Sequence, residues 1–254
     1  MNMNIFGKIK FLLQKPKVII VIGNGQACAK EAIFQVLKQH FRIGPHPPTT
    51  LPFSLAPEIL IFETDLKDRK NFEFLIKNSS LPILVVTQVG DIPPDKDYNP
   101  PTASEVPAED RRVAGGLESQ PSVRPLFAGE KEKTIEIRKL AKIIPTQGYL
   151  VLNFDDETVR GIKNETNLKA KAITFGFQEG ADFQATDIKL NTGTNFKLNY
   201  QGNVVPIWLE GVFNKEQIYS ALAAASVGVI FNLNLVEISQ ALENYKGLPR
   251  EGKE

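Results

Sequence analysis

Residues Lys17–Glu31 read KVIIVIGNGQACAKE, and the fold turns on this stretch. After Lys17 come five β-branched residues in succession, Val18–Ile22, held between Pro16 and Gly23. A run without polar alternation suits a strand buried on both faces, hence a parallel strand with helices on either side. Beyond Gly23-Asn24-Gly25, the segment Ala27–Phe41 places Ala32, Ile33, Val36, Leu37 and Phe41 at helical spacing. Strand, glycine turn and helix in that order aim backbone N–H groups and a positive helix end at one spot, where phosphate is favoured. The turn also has a purely geometric reading, because a tight connection needs glycine for its backbone. A phosphate loop of the form G-x-x-x-x-G-K-[ST] needs a lysine for charge and a hydroxyl for Mg²⁺. Here Gln26 and Ala27 follow Gly25, and neither supplies those groups.

Working outward, Glu58–Glu63 (EILIFE) and Pro82–Thr87 (PILVVT) read as two more strands. Lys67–Lys77 between them reads as a helix with Phe72, Leu75 and Ile76 on one side. Asp91–Gly129 breaks the pattern: these 39 residues hold seven of the 17 prolines and little apolar periodicity. The composition predicts a disordered insertion or lid. Order resumes with a charged helix over Glu130–Ile144 and a strand over Gly148–Asn153. Asp155 and Asp156 open a short helix reaching about Lys163, and Ala170–Phe175 is a strand. Phe183–Leu190, Phe196–Tyr200 and Val204–Leu209 alternate between glycine and asparagine breaks, as an antiparallel meander does. Helices over Glu216–Phe231 and Leu235–Tyr245 close the chain, and Trp208 reads as core. The expected class is α/β: a mostly parallel P-loop-type sheet flanked by helices, with a small antiparallel meander in the C-terminal half. The expected division is an N-terminal extension over 1–16, a central domain over 17–245 carrying the 91–129 insertion, and a tail over 246–254.

Composition narrows the function. The chain has 254 residues, with 30 Lys and Arg against 29 Asp and Glu, a net charge of +1. That balance argues against a nucleic-acid partner, which would call for a basic excess. One cysteine, Cys28, excludes a disulfide framework, and two histidines, His40 and His46, leave little for a histidine metal site. No apolar run approaches the roughly 18 residues of a membrane span. Met1–Leu13 lacks a small-residue cleavage site, so a cytoplasmic protein is expected.

Four blocks in order carry a resemblance: Val21–Glu31 (VIGNGQACAKE), Gly148–Val159 (GYLVLNFDDETV), Ile173–Asp182 (ITFGFQEGAD) and Glu216–Gly228 (EQIYSALAAASVG). Together they resemble the central ATP-dependent domain of the Mur ligases, with the branch that adds D-alanyl-D-alanine to a UDP-N-acetylmuramoyl peptide as the nearest likeness. The likeness covers about Lys17–Tyr245 outside the proline-rich stretch. It implies an ATP-dependent amide ligase, in which ATP phosphorylates a carboxylate and an amine attacks the acyl phosphate.

Carried over position by position, the resemblance gives a mixed site. The family loop T-G-S-N-G-K-T-T-T-K-E is met here by Ile22, Gly23, Asn24 and Gly25, one residue fewer, then Gln26 for the lysine and Ala27, Cys28 and Ala29 for the threonines; Lys30 and Glu31 match. Glu63 matches the magnesium-binding glutamate, with a solvated strand-end carboxylate as the plain alternative. Thr87–Gly90 (TQVG) resembles the T-N-I-G turn without the A-H that follows it. Ile137 falls where several members carry a carbamylated lysine, with Arg138 and Lys139 leaving the register open. Asn153, Asp155 and Asp156 match L-N-x-D-D near the nucleotide, although helix capping by Asp155 needs no ligand. Gln217 fits the family's His-Asn or His-Gln pair, where Glu216 replaces the histidine. The nucleotide-binding set implied is therefore Gly23, Asn24, Gly25, Gln26, Ala27, Asn153, Asp156 and Gln217, with Glu63 for the metal and no catalytic residue assigned. ATP and Mg²⁺ are implied by the family and expected to be weak or absent here. Complete members add an N-terminal domain for the UDP-sugar and a C-terminal domain that closes over ATP. Sixteen residues precede the first strand here and about nine follow the last helix. The expected function is a Mur-ligase-like central domain, catalytically degenerate on its own. The alternative is a pseudoenzyme that serves as an interaction module with cell-wall biosynthesis proteins.

Overall fold

The computed structural model describes residues 5–44, 56–64, 66, 69–90, 128–190, 193–211 and 214–247. Its elements are α1 (Ile5–Gln14), β1 (Lys17–Ile22), α2 (Gln26–Leu37), β2 (Ile43–Gly44), β3 (Ile59–Glu63), α3 (Arg69–Asn78), β4 (Pro82–Val86) and α4 (Ala128–Ile143). There follow β5 (Tyr149–Asn153), α5 (Glu157–Arg160) with a 3-10 turn over Gly161–Asn164, β6 (Lys171–Gly176), β7 (Phe183–Leu190), β8 (Thr194–Tyr200), β9 (Asn203–Leu209), α6 (Lys215–Ile230) and α7 (Leu235–Leu242). Nearly all of the stretch expected as an insertion, and the tail beyond Gly247, lie outside the described residues; Ala128 and Gly129 open α4.

One sheet of nine strands runs β2-β3-β1-β4-β5-β6-β7-β8-β9. Pairing is parallel from β2 through β7 and antiparallel for β7–β8 and β8–β9. The expected α/β class holds, and the meander joins the parallel sheet through β7. The two-residue period of a strand sends successive side chains to opposite faces, and β1 feeds two cores. Ile19 and Val21 pack with α2, α6 and α7, whereas Val18, Ile20 and Ile22 pack with α1, α3 and α4. Burial on both faces explains why the β1, β3 and β4 segments carry apolar runs rather than alternation.

The meander uses only the first of these cores. Phe183, Ala185, Phe196, Leu198, Ile207 and Leu209 face inward. Trp208, between two inward residues, must therefore face outward, and it is 45% exposed rather than core. Helix α6 is buried continuously from Ile218 to Gly228, as its run of Ala, Ser and Gly permits close approach to α2 and the sheet. At Gly228 a Cβ would come within 2.9 Å of Ile238 Cγ1 on α7 and 3.0 Å of Val36 Cγ1 on α2.

Helix α1 closes the second core. Phe11 is fully buried and tilts against Phe74 of α3, ring centres 5.8 Å apart. The helix stops where Lys15 adopts φ 43° ahead of Pro16, as a left-handed terminal residue followed by proline dictates. Phe11→Ala is expected to lower the unfolding free energy by about 3–5 kcal/mol. Leu13→Ala, on the exposed side, should stay within about 0.5 kcal/mol of wild type. Urea denaturation of both variants checks this; equal small losses would show that α1 does not close the core.

Candidate functional site

Strands β1, β3, β4, β5 and β6 all end on the same side of the sheet, where open α/β folds gather ligands. Every candidate residue except Gln217 sits on these ends or on the segments just beyond them. The glycine turn leaves β1 with Gly23 at φ 120° and Gly25 at φ 74°. Gly23 has a second reason to be glycine, since a Cβ there would lie 2.7 Å from the Gln88 carbonyl oxygen. The turn is latched to the end of β4. Asn24 N–H donates to the Gln88 carbonyl at 2.7 Å, and Thr87 N–H donates to the Ile22 carbonyl at 2.9 Å. The Thr87 hydroxyl lies 2.6 Å from the Asn24 carbonyl oxygen. Thr87 is thus a brace for the turn, a role the sequence did not disclose.

Helix α2 starts directly at Gln26, with Gly25 as its N-cap and no side-chain cap. The first N–H groups of a helix have no intrahelical carbonyl to meet. Gln26 Oε1 is buried without a hydrogen-bond partner, and Ala27 offers no hydroxyl. One turn further on, Lys30 Nζ lies 2.7 Å from Glu63 Oε1 at the end of β3. The carboxylate expected to hold a metal therefore faces an ammonium.

A second acid reaches the turn from α6. A Cβ at Gly25 would lie 2.6 Å from Glu216 Cγ and 2.9 Å from its Cδ, so the Glu216 side chain is packed directly against this glycine. Burial pushes the Glu216 carboxyl up from its ordinary range. The neighbouring Lys215 ammonium is turned toward the rings of Phe177 and Tyr219, at 5.1 and 5.8 Å.

The paired aspartates after β5 hold the floor. Asp156 accepts from Thr158 and Val159 N–H with one oxygen, capping α5, and from Val89 and Gly90 N–H at 2.7 and 2.8 Å with the other. Asp155 accepts from Phe177 N–H at 2.7 Å, Gln178 N–H at 3.0 Å and the Tyr219 hydroxyl at 2.6 Å. The cap of α5 is Asp156, not Asp155. Asn153 Oδ1 accepts from Asp155 N–H at 3.0 Å, while its buried Nδ2 lacks a partner. Gln217 closes the capping box of α6, its Oε1 accepting from Asn214 N–H. Ile137 is fully buried in the second core; Arg138 pairs with Glu165 and Lys139 with Glu136, so neither the buried apolar residue nor the two paired cations resembles a metal-bridging lysine.

Of the groups that would hold a magnesium–nucleotide, the turn offers one carboxylate, Glu63, and no loop hydroxyl. Mg²⁺ is held by one or two carboxylates together with substrate phosphates. Here Glu63 is paired with Lys30, the loop hydroxyl is missing, and no group of three His, Cys, Asp or Glu suited to a metal occurs among the described residues.

Residues 134–228 match the family model described as the Mur ligase middle domain. UDP-N-acetylmuramate–L-alanine ligase from Persephonella marina is 34% identical over 111 residues, 43% of this chain and 23% of that protein. A UDP-N-acetylmuramoylalanyl-D-glutamyl-2,6-diaminopimelate–D-alanyl-D-alanyl ligase from Acinetobacter baumannii superposes with a TM-score of 0.68 at 15% identity, over 96% of this chain and 49% of that one. The MurF ligase from Thermotoga maritima, solved in complex with ADP, gives 0.58 at 16% identity, over 92% and 50%. The aligned part of the chain thus spans about a quarter of the curated relative and half of the solved chains. The sequence relative and the structures belong to different branches, and the family is what they share. No helix among the described residues is long and apolar enough to cross a membrane.

Two outcomes test the site's physics. Asp156→Ala removes a helix cap and two charge-assisted bonds to the β4 exit, and should cost about 2–4 kcal/mol in unfolding free energy. A loss under about 0.5 kcal/mol would show that the exit is held elsewhere. A carboxyl raised by burial gives stability that is complete below its unfolded value and is lost as pH rises through its folded value. Glu216→Gln should therefore melt above wild type at pH 8, and the gap should close toward pH 4. A variant less stable than wild type at pH 8 would mean that the charged form anchors the turn.

Proposed function

We propose a function for a chain that belongs, by its central domain, to the Mur ligase family: it is a catalytically degenerate relative of the ATP-dependent amide ligases that build peptidoglycan precursors. It keeps the fold as an interaction module among cytoplasmic cell-wall biosynthesis proteins. The observation that carries this reading is the glycine turn itself, where Gln26 and Ala27 follow Gly25 and Lys30 occupies Glu63. Phosphoryl transfer is catalysed almost entirely by positioning and charge stabilisation. The turn has two glycines at positive φ, and neither Gln26 nor Ala27 supplies the cation or the hydroxyl that would go with them. The Lys30–Glu63 pair alone would not bar a divalent ion, because a partly exposed pair contributes at most about 1 kcal/mol. The missing loop hydroxyl is the larger loss, since it leaves Glu63 as the one matched protein ligand beside the nucleotide's own phosphates.

The family relation supports ATP as the ligand from which the site descends, and the turn's backbone is still suited to an anion. Calorimetric titration of the full chain with MgATP and MgADP tests the reading. No binding is expected at millimolar nucleotide. Restoring charge and hydroxyl together, Gln26→Lys with Ala27→Thr, should raise MgADP affinity by about tenfold or more, as one charge-assisted phosphate contact implies. Micromolar binding by the wild-type chain would overturn the degenerate reading.

A further inference from the structure

The residues lost from the turn explain weak attraction for phosphate, yet one residue gained there does more than fail to attract. Glu216 lies at the first turn of α6, far in sequence from Gly25, and its Cγ and Cδ fill the space in front of that glycine. Among the described residues no cation pairs with it. Lys215 faces the Phe177 and Tyr219 rings, and Lys30 is engaged with Glu63. Among the described residues, then, no side-chain cation offsets the carboxylate, which lies against Gly25, the N-cap of α2, whose first N–H groups would meet a phosphate.

We infer that Glu216 closes the glycine turn to phosphate by placing a like charge beside Gly25, where phosphate oxygens would arrive. The inference rests on the reading of this turn as a former nucleotide site. It adds that the site is shut by a resident acid and is not merely short of contacts. Like charges brought together in a partly desolvated site cost enough to decide occupancy. A neutral side chain at position 216 should reopen the turn even with Gln26 and Ala27 in place.

The test is calorimetric titration of the full chain with ADP, inorganic pyrophosphate and adenosine. Wild type is compared with Glu216→Gln and with Glu132→Gln, an exposed acid on α4 that controls for net charge. Glu216→Gln should bind ADP and pyrophosphate at least about tenfold tighter than wild type. Adenosine should be unchanged, and Glu132→Gln should match wild type. Should the glutamine variant fold poorly by circular dichroism, Glu216→Met, neutral and of similar length, takes its place. A folded neutral variant that gains nothing for pyrophosphate or ADP overturns the inference. If Gln26→Lys with Ala27→Thr gains affinity in the same assay while Glu216→Gln does not, this inference falls and the nucleotide-site reading stands. Tight ADP binding by wild type would sink both.

Discussion

The C-terminal ends of the parallel strands are tied together by two adjacent buried carboxylates, and the rest of the site depends on that tie. Asp155 and Asp156 accept seven hydrogen bonds between them, six from backbone N–H groups and one from the Tyr219 hydroxyl. Burying a carboxylate costs several kcal/mol. The cost is offset only when the oxygens are fully served, at about 1.5–3 kcal/mol for each charge-assisted bond. Asp156 fixes the β4 exit, and the β4 exit braces the glycine turn through Gln88 and Thr87. Asp155 fixes the β6 exit and, through Tyr219, helix α6, which brings Glu216 to Gly25. The β4 exit, the glycine turn and α6 are thus positioned through one dipeptide, while Glu63 is placed by the pairing of β3 with β1.

Around that frame the charges sit in an order opposed to nucleotide chemistry. Such a turn would need a cation facing phosphate and an acid facing a metal. Instead the acid Glu216 is against the turn, and the cation Lys30 is against the acid Glu63. Glu63 has its counter-charge within the chain, whereas the half-buried Glu216 has its carboxyl pushed up by burial.

Much of the fold was legible because apolar periodicity reports burial directly. The β1, β3, β4 and β5 segments are buried on both faces and read as unbroken apolar runs, and α2, α3 and α4 show one buried stripe. Trp208 misled because residue type was weighed above register; with Ile207 and Leu209 inward, position 208 must point out. The two-residue β2 was missed because its pairing to β3 is set by the sheet edge and not by local composition. The site was legible along the chain but not across it. The glycine turn and the paired aspartates are contiguous motifs. Glu216 against Gly25, Lys30 with Glu63 and Tyr219 with Asp155 join residues separated by 33 positions or more, and no local pattern announces them.

Part of what matches the family pattern, and part of what departs from it, has a physical basis. Thr87, Asn153, Asp155, Asp156 and Gln217 match, and each has an intramolecular hydrogen-bonding task that a change would disturb with or without ligand. Gln26, Ala27 and Glu216 depart, and all three lie at the open end of α2, where the chemistry of a ligand and not the stability of the sheet would dictate the residue. A fold whose strand ends are tied by its own carboxylates does not need nucleotide to hold its shape. Its loop residues are then free to change charge, even to the opposite sign, without loss of the domain. The same carboxylates that hold the strand ends therefore leave the residues at the start of α2 outside the framework that keeps the sheet together.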